Sequence, residues 1–123
     1  MGASRGLLMF MRAAAAVQLI LGIGFWTGNW AGLVNIHMLI GVLYVLALWS
    51  LAGMALSQRR AAGLAVFALV WGVVIAGLGM TQRGIMAGDL HWVIRVLHLV
   101  ISLAAMPMAE RLAAHRTAAA AVA

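Results

Sequence analysis

"AAAAVQLILGIGFWTGNWAGLVNIHMLIGVLYVLALWSLAGMALSQ", residues 13–58, carries no charged side chain, and its reading decides the fold. A helix needs roughly 20 apolar residues to cross a bilayer, so this run is too long for one crossing and suits two. "WTGNWAG" (26–32) interrupts it with Gly, Asn and two Trp, the composition of a turn at a membrane–water interface. Spans are therefore expected at about 7–27 and 33–56. Working outward, "SQRR" (57–60) is the next turn, and 61–82 is again uncharged, with a third span at about 61–80. "TQRGIMAGD" (81–89) makes a longer turn before a fourth span at about 90–112, whose end Pro107 is expected to kink.

Composition points the same way. Of 123 residues, 67% are hydrophobic and 8% charged. A soluble domain keeps about a quarter of its residues charged. The expected fold class is an all-α integral membrane protein, a single domain over 1–123, in which four transmembrane helices run up-down-up-down. The N-terminal arginines ahead of an apolar run resemble a signal peptide. The apolar part is longer than a signal core, so a retained first span is expected.

The eight basic residues are all Arg, and they sort by side. Arg5, Arg12, Arg59, Arg60, Arg111 and Arg116 fall on the side of both termini. Arg83 stands alone on the other side, balanced by Asp89. Positive charge marks the cytoplasmic face, so both termini are expected in the cytoplasm of an inner (cytoplasmic) membrane. Ala, Gly and Arg usage without Lys suggests a bacterial source. The net charge of +6 reports this orientation and not nucleic-acid binding. With no cysteine, thioether-attached haem, thiolate metal sites and disulfides are excluded. No Gly-rich phosphate loop, nucleophile triad or nucleic-acid motif occurs. The five Trp (26, 30, 49, 71, 92) read mostly as interfacial anchors.

The two halves look alike. "RAAAAVQLILG" (12–22) resembles "RAAGLAVFALVWG" (60–72), and "HMLIGVLYVLAL" (37–48) aligns without gaps on "HWVIRVLHLVIS" (91–102). His37 then matches His91, Gly41 matches Arg95 and Tyr44 matches His98. Two similar hairpins joined head to tail would set spans two and four diagonally across a bundle.

Depth can be counted from the cytoplasmic charges. His37 lies 22 residues before Arg59, and His91 lies 20 before Arg111. At about 1.5 Å per residue both sit at nearly one level, toward the outer side. Two imidazoles so placed are positioned to hold one metal, and a porphyrin iron suits a bundle core, taking one axial nitrogen from each side. The expected metal ligands are His37 and His91, with Gly41 removing a side chain where a flat macrocycle would press. Zinc would need further ligands, and Asp89 is the one nearby carboxylate. His98 lies two turns below His91 on the same face, about 10 Å deeper. It is the alternative second ligand or part of a second site. Arg95, between them, has no acid at its depth. A haem propionate, an anionic lipid or a companion subunit would have to balance it. Tyr44, His98 and Gln18 are polar groups near mid-membrane that either bond one another or form a quinone or proton site. Met38 and Met106 are further conceivable ligands, with core packing the ordinary reading.

The stretch "VQLILGIGFWTGNWAGLVNIHMLIGVLYVLALW" resembles the first hairpin of a haem A synthase half, and the whole chain is more loosely similar to small four-helix membrane cytochromes b. That resemblance implies haem-binding histidines at the heads of the second and fourth helices, here His37 and His91. The synthase uses two bundles and this chain supplies one, so the haem-holding scaffold is what carries over. The expected function is a membrane b-type cytochrome with one bis-histidine haem b, acting in electron transfer more than as a stand-alone enzyme. Its expected partners are membrane lipid, a quinone, other subunits of a redox complex, or further copies of itself. The competing expectations are a cofactor-free accessory or assembly subunit of a larger membrane complex, and a haem carrier or biosynthesis protein.

Overall fold

The computed structural model describes residues 2–59 and 61–120. Arg60 and the Arg116 side chain, both expected on the cytoplasmic side, lie outside the described residues. Among the described residues five α-helices occur: α1 (Ala3–Trp26), α2 (Val34–Ser57), α3 (Ala62–Thr81), α4 (His91–Leu103) and α5 (Ala105–Ala120). One-turn 3₁₀ helices, Ala31–Leu33 and Gln82–Gly84, precede α2 and follow α3. Counting those turns and the α4–α5 pair, four segments of 24, 27, 23 and 25 residues are long and apolar enough to cross a membrane. No strand is present among the described residues.

The first turn of chain direction has a local cause. Gly28 adopts φ +78°, the left-handed region that glycine enters without a Cβ clash. Its N–H bonds the Phe25 carbonyl and that of Asn29 bonds Gly24, which closes α1 as a Schellman motif. Trp30 then folds back onto Gly24, where any Cβ would collide with the indole.

The fourth segment departs from expectation. The helix breaks at Ala104, earlier than the end of the span, and then resumes to Ala120. Pro107 explains the position: it has no N–H for the Leu103 carbonyl, and its ring clashes with that group in a continuous helix. The break puts Pro107 in the first turn of α5, where the missing N–H goes unnoticed. Carbonyls loosened at the break find side chains instead. Trp71 Nε1 donates to Ile101 O at 2.9 Å, and the Tyr44 hydroxyl donates to Ser102 O at 3.1 Å. Neighbouring helices thus supply what the kinked backbone gives up, a requirement in an apolar surrounding.

The break also divides the packing. α5 lies against α1, α2 and α3, whereas the close backbone neighbours of α4 are α3, the Gln82–Gly84 turn and α5. Around α5 the core is built from small residues: Ala52, Ala65, Ala105 and Ala109 are wholly buried beside Met11, Leu48, Leu51 and Leu112. Alanines let helix backbones approach closely, so dispersion contacts are dense there. Around α4 the helices stand apart.

Two tryptophans take part in helix packing. Trp49 packs on Gly72 and donates to the Leu69 carbonyl at 3.1 Å, and Trp71 bonds Ile101. Both join helices from within, because each indole N–H finds a backbone acceptor on a neighbouring helix. Trp26, Trp30 and Trp92 are exposed, at 49%, 41% and 54%.

Candidate functional site

Where α4 stands off from α1 and α2, a cavity of about 410 Å³ opens between the helices. His37, Gly41, Tyr44, His91, Arg95 and His98 all line it. The volume is ordinary for a pocket that holds a small-molecule cofactor, which runs from about 300 to 1,000 Å³. Its walls are mostly aliphatic, with Met38 among them, and no acidic side chain lines it. Met106 packs against the core instead.

The fold brings His37 against His98. Their ring centroids lie 6.4 Å apart with planes at 53°. The sequence expectation pairs His37 with His91 and holds His98 as the alternative. It treats Arg59 and Arg111 as equivalent depth marks, and the helices end differently beside them. Arg59 follows directly on the end of α2, whereas the helix holding Arg111 runs on to Ala120. His91 is the first residue of α4, and its Nδ1 lies 3.3 Å from the Ile85 carbonyl in the preceding loop.

Neither ring of the His37–His98 pair has a hydrogen-bond partner among the described residues. The Nδ1 atoms of both are buried and unbonded. A neutral imidazole carries one N–H and one lone pair, and leaving such groups unmatched in an apolar interior costs about 1–3 kcal/mol each. The two unmatched rings lie together on the cavity wall. Local contacts fix them in place. Phe25 meets the His37 ring edge-on at 5.2 Å, and Gly79 on α3 leaves room for the His98 ring, whose Cε1 would lie 3.3 Å from a Cβ there.

Gln18 on α1 braces the same site. Its Nε2 donates to the His37 carbonyl at 3.0 Å. Gly41, one turn on, admits that amide, since a Cβ at Gly41 would sit 3.0 Å from Gln18 Nε2. Bonds among Tyr44, His98 and Gln18 themselves do not form: Tyr44 goes to Ser102 and Gln18 to His37, while Gln18 Oε1 stays buried without a partner. The brace was not evident in sequence, because Gln18 and His37 belong to different helices and their spacing carries no periodic signal.

The charged groups are few. Among the described residues one ion pair is present, Arg12 to Glu110 at 2.8 Å. Arg95 is exposed and lines the cavity together with Arg83. His115 is exposed on α5. No group of three or more His, Cys, Asp or Glu side chains converges among the described residues. A metal held by protein groups alone in tetrahedral coordination would need more donors than this site offers.

No family model matches the chain, and no curated protein and no solved structure matches it either. The functional reading therefore rests on the geometry of the cavity.

Proposed function

We propose that the chain crosses a bacterial inner membrane four times, up-down-up-down with both termini cytoplasmic, and holds one haem b between His37 and His98 for electron transfer. The observation that carries this reading is the ring pair. Two imidazoles bonded through one nitrogen each to opposite sides of a single ion, with bonds of about 2 Å, place their centroids roughly 6 Å apart. The observed 6.4 Å suits that arrangement, and the unbonded ring nitrogens supply the lone pairs it needs.

Membrane insertion is supported by the outer surface of the bundle. Leu39, Val70, Val73 and Met80 are each more than half exposed, as are many other large aliphatic side chains. Such a surface has no stable arrangement in water and an ordinary one in lipid. Arg5, Arg12, Arg59 and Arg111 support the proposed orientation by the positive-inside rule.

Bound haem supplies a one-electron couple. His37 and His98 would hold it, Gln18 steadies the turn that carries His37, and apolar side chains would surround most of it. An iron held by two imidazoles would leave no position for a substrate, which favours electron transfer over oxygen chemistry. A quinone or another redox subunit in the membrane is the natural exchange partner.

The test is the visible spectrum of protein purified in detergent with haem supplied. The expected result is the sharp reduced α-band of low-spin haem b, lost in His37→Ala and in His98→Ala and retained in His91→Ala. A preparation that takes up no haem overturns the reading. Loss of the band in His91→Ala with retention in His98→Ala would restore the pairing counted from sequence.

A further inference from the structure

The haem reading leaves two cations unaccounted for. Arg83, in the Gln82–Gly84 turn, and Arg95, on the second turn of α4, both line the main cavity. They also line a smaller adjoining pocket, with Ala87, Gly88 and His91. No acidic side chain lines either space. The chain has two acids in all. Glu110 is paired with Arg12, and Asp89, next to Gly88 in sequence, does not line the pocket. Two guanidiniums on one concavity repel each other, and at the edge of an apolar cavity that repulsion is screened less than in water.

The two spaces share Arg83, His91 and Arg95 as walls and so lie side by side. One is large and aliphatic, the other small and cationic. That shape fits a molecule with an apolar body and an oxyanion head. His91 contributes a wall, with its Nδ1 turned to the Ile85 carbonyl at 3.3 Å. Guanidinium is the side chain best matched to carboxylate or phosphate, because its planar fork donates two parallel hydrogen bonds.

We infer that Arg83 and Arg95 form an oxyanion site at the mouth of the cavity, which takes the carboxylate or phosphate head of an amphiphile whose apolar part lies within. The inference deepens the proposed function by naming how the cavity recognises the polar edge of its occupant. It does not depend on the iron.

The experiment uses a probe without iron. Protoporphyrin IX carries two carboxylates and its dimethyl ester carries none, and binding of each to the full chain in neutral detergent is followed by porphyrin fluorescence. The acid binds at least tenfold more tightly than the ester, and Arg83→Gln and Arg95→Gln each reduce acid binding about tenfold, the lower end for a hydrogen bond to a charged group at an exposed site. Ester binding is unchanged in both, which shows that the cavity remains folded. Arg95→Lys keeps part of the preference. Equal binding of acid and ester by the unaltered chain overturns the inference, and so does a preference that survives both Gln substitutions.

Two further arms distinguish sources of the head group. Displacement of the acid by phosphatidylglycerol micelles but not phosphatidylcholine, absent in the Gln variants, extends the site to lipid phosphate. Displacement by millimolar inorganic phosphate alone overturns the amphiphile part. His37→Ala and His98→Ala leave the acid-over-ester preference intact even where they abolish the haem spectrum. Failure of the axial pair and failure of the oxyanion site are therefore read separately.

Discussion

Gly41→Ala separates two accounts of one glycine. From sequence, Gly41 leaves room for a flat macrocycle against α2. In the structure it leaves room for the Gln18 amide, whose Nε2 would lie 3.0 Å from the new Cβ. Unbonded carbon and nitrogen settle at about 3.5 Å, so the amide must retreat by roughly 0.5 Å. The 3.0 Å bond from Gln18 to the His37 carbonyl then stretches out of the useful range. Losing it costs about 1 kcal/mol. Replacing a mid-helix glycine by alanine returns about the same amount through helix propensity. Overall stability therefore stays level, while the turn that carries His37 loses its brace. If that brace is expressed wholly in the bound state, haem leaves about fivefold faster, the equivalent of 1 kcal/mol. The assay is haem transfer to apomyoglobin, followed beside thermal unfolding in detergent. A double-mutant cycle decides the mechanism: in a Gln18→Ala background, Gly41→Ala should have no further effect on haem loss. Additive effects, or complete loss of haem uptake in Gly41→Ala alone, would refute the brace and return Gly41 to the macrocycle.

Other substitutions test the packing that positions the site. Gly72→Ala drives a Cβ into the Trp49 indole and should destabilise by about 1–3 kcal/mol in reversible unfolding, whereas Gly53→Ala, with open space at its Cβ, should be neutral or stabilising by up to about 1 kcal/mol. Tyr44→Phe removes the hydroxyl from the Ser102 carbonyl and should cost about 1 kcal/mol, because the kinked backbone then holds an unmatched acceptor. Pro107→Ala allows α4 and α5 to join through Ala104. Helix content by circular dichroism should hold or rise while haem uptake falls, and unchanged uptake would show that the break does not shape the cavity.

The limits of the long apolar helices were legible because they depend on one-dimensional quantities, namely where charge stops and where Gly, Asn and Trp cluster. Residues 13–58 show this well: the interruption at 26–32 holds both the glycine-closed end of α1 and the start of the 3₁₀ turn before α2. The six cavity residues were also legible as a group, since histidine, arginine and tyrosine are conspicuous in an aliphatic helix. Their mutual arrangement was not. Matching His37 to His91 takes arginine as the mark of the helix end, and the run of helix to Ala120, past Arg111, departs from that. The roles of Trp49, Trp71 and Gln18 were hidden for a related reason: each acts on a carbonyl of another helix, and backbone acceptors leave no trace in residue identity.

That break ties the fold to its proposed use. Around α5 alanine-rich contacts close the bundle, and beside α4 the cavity opens. An interruption in the fourth segment ends the close packing, yet it also loosens backbone carbonyls in an apolar surrounding. Tyr44 and Trp71 engage two of them and so secure the joint without filling the space beyond it. The half of the segment past the joint is then held mainly through α3, and His98 sits on it, six residues before Ala104. Gly79, the α3 residue beside the His98 ring, leaves room for that ring. The rigid end and the open end thus meet at one proline, and the histidine pair lies just on the open side of it.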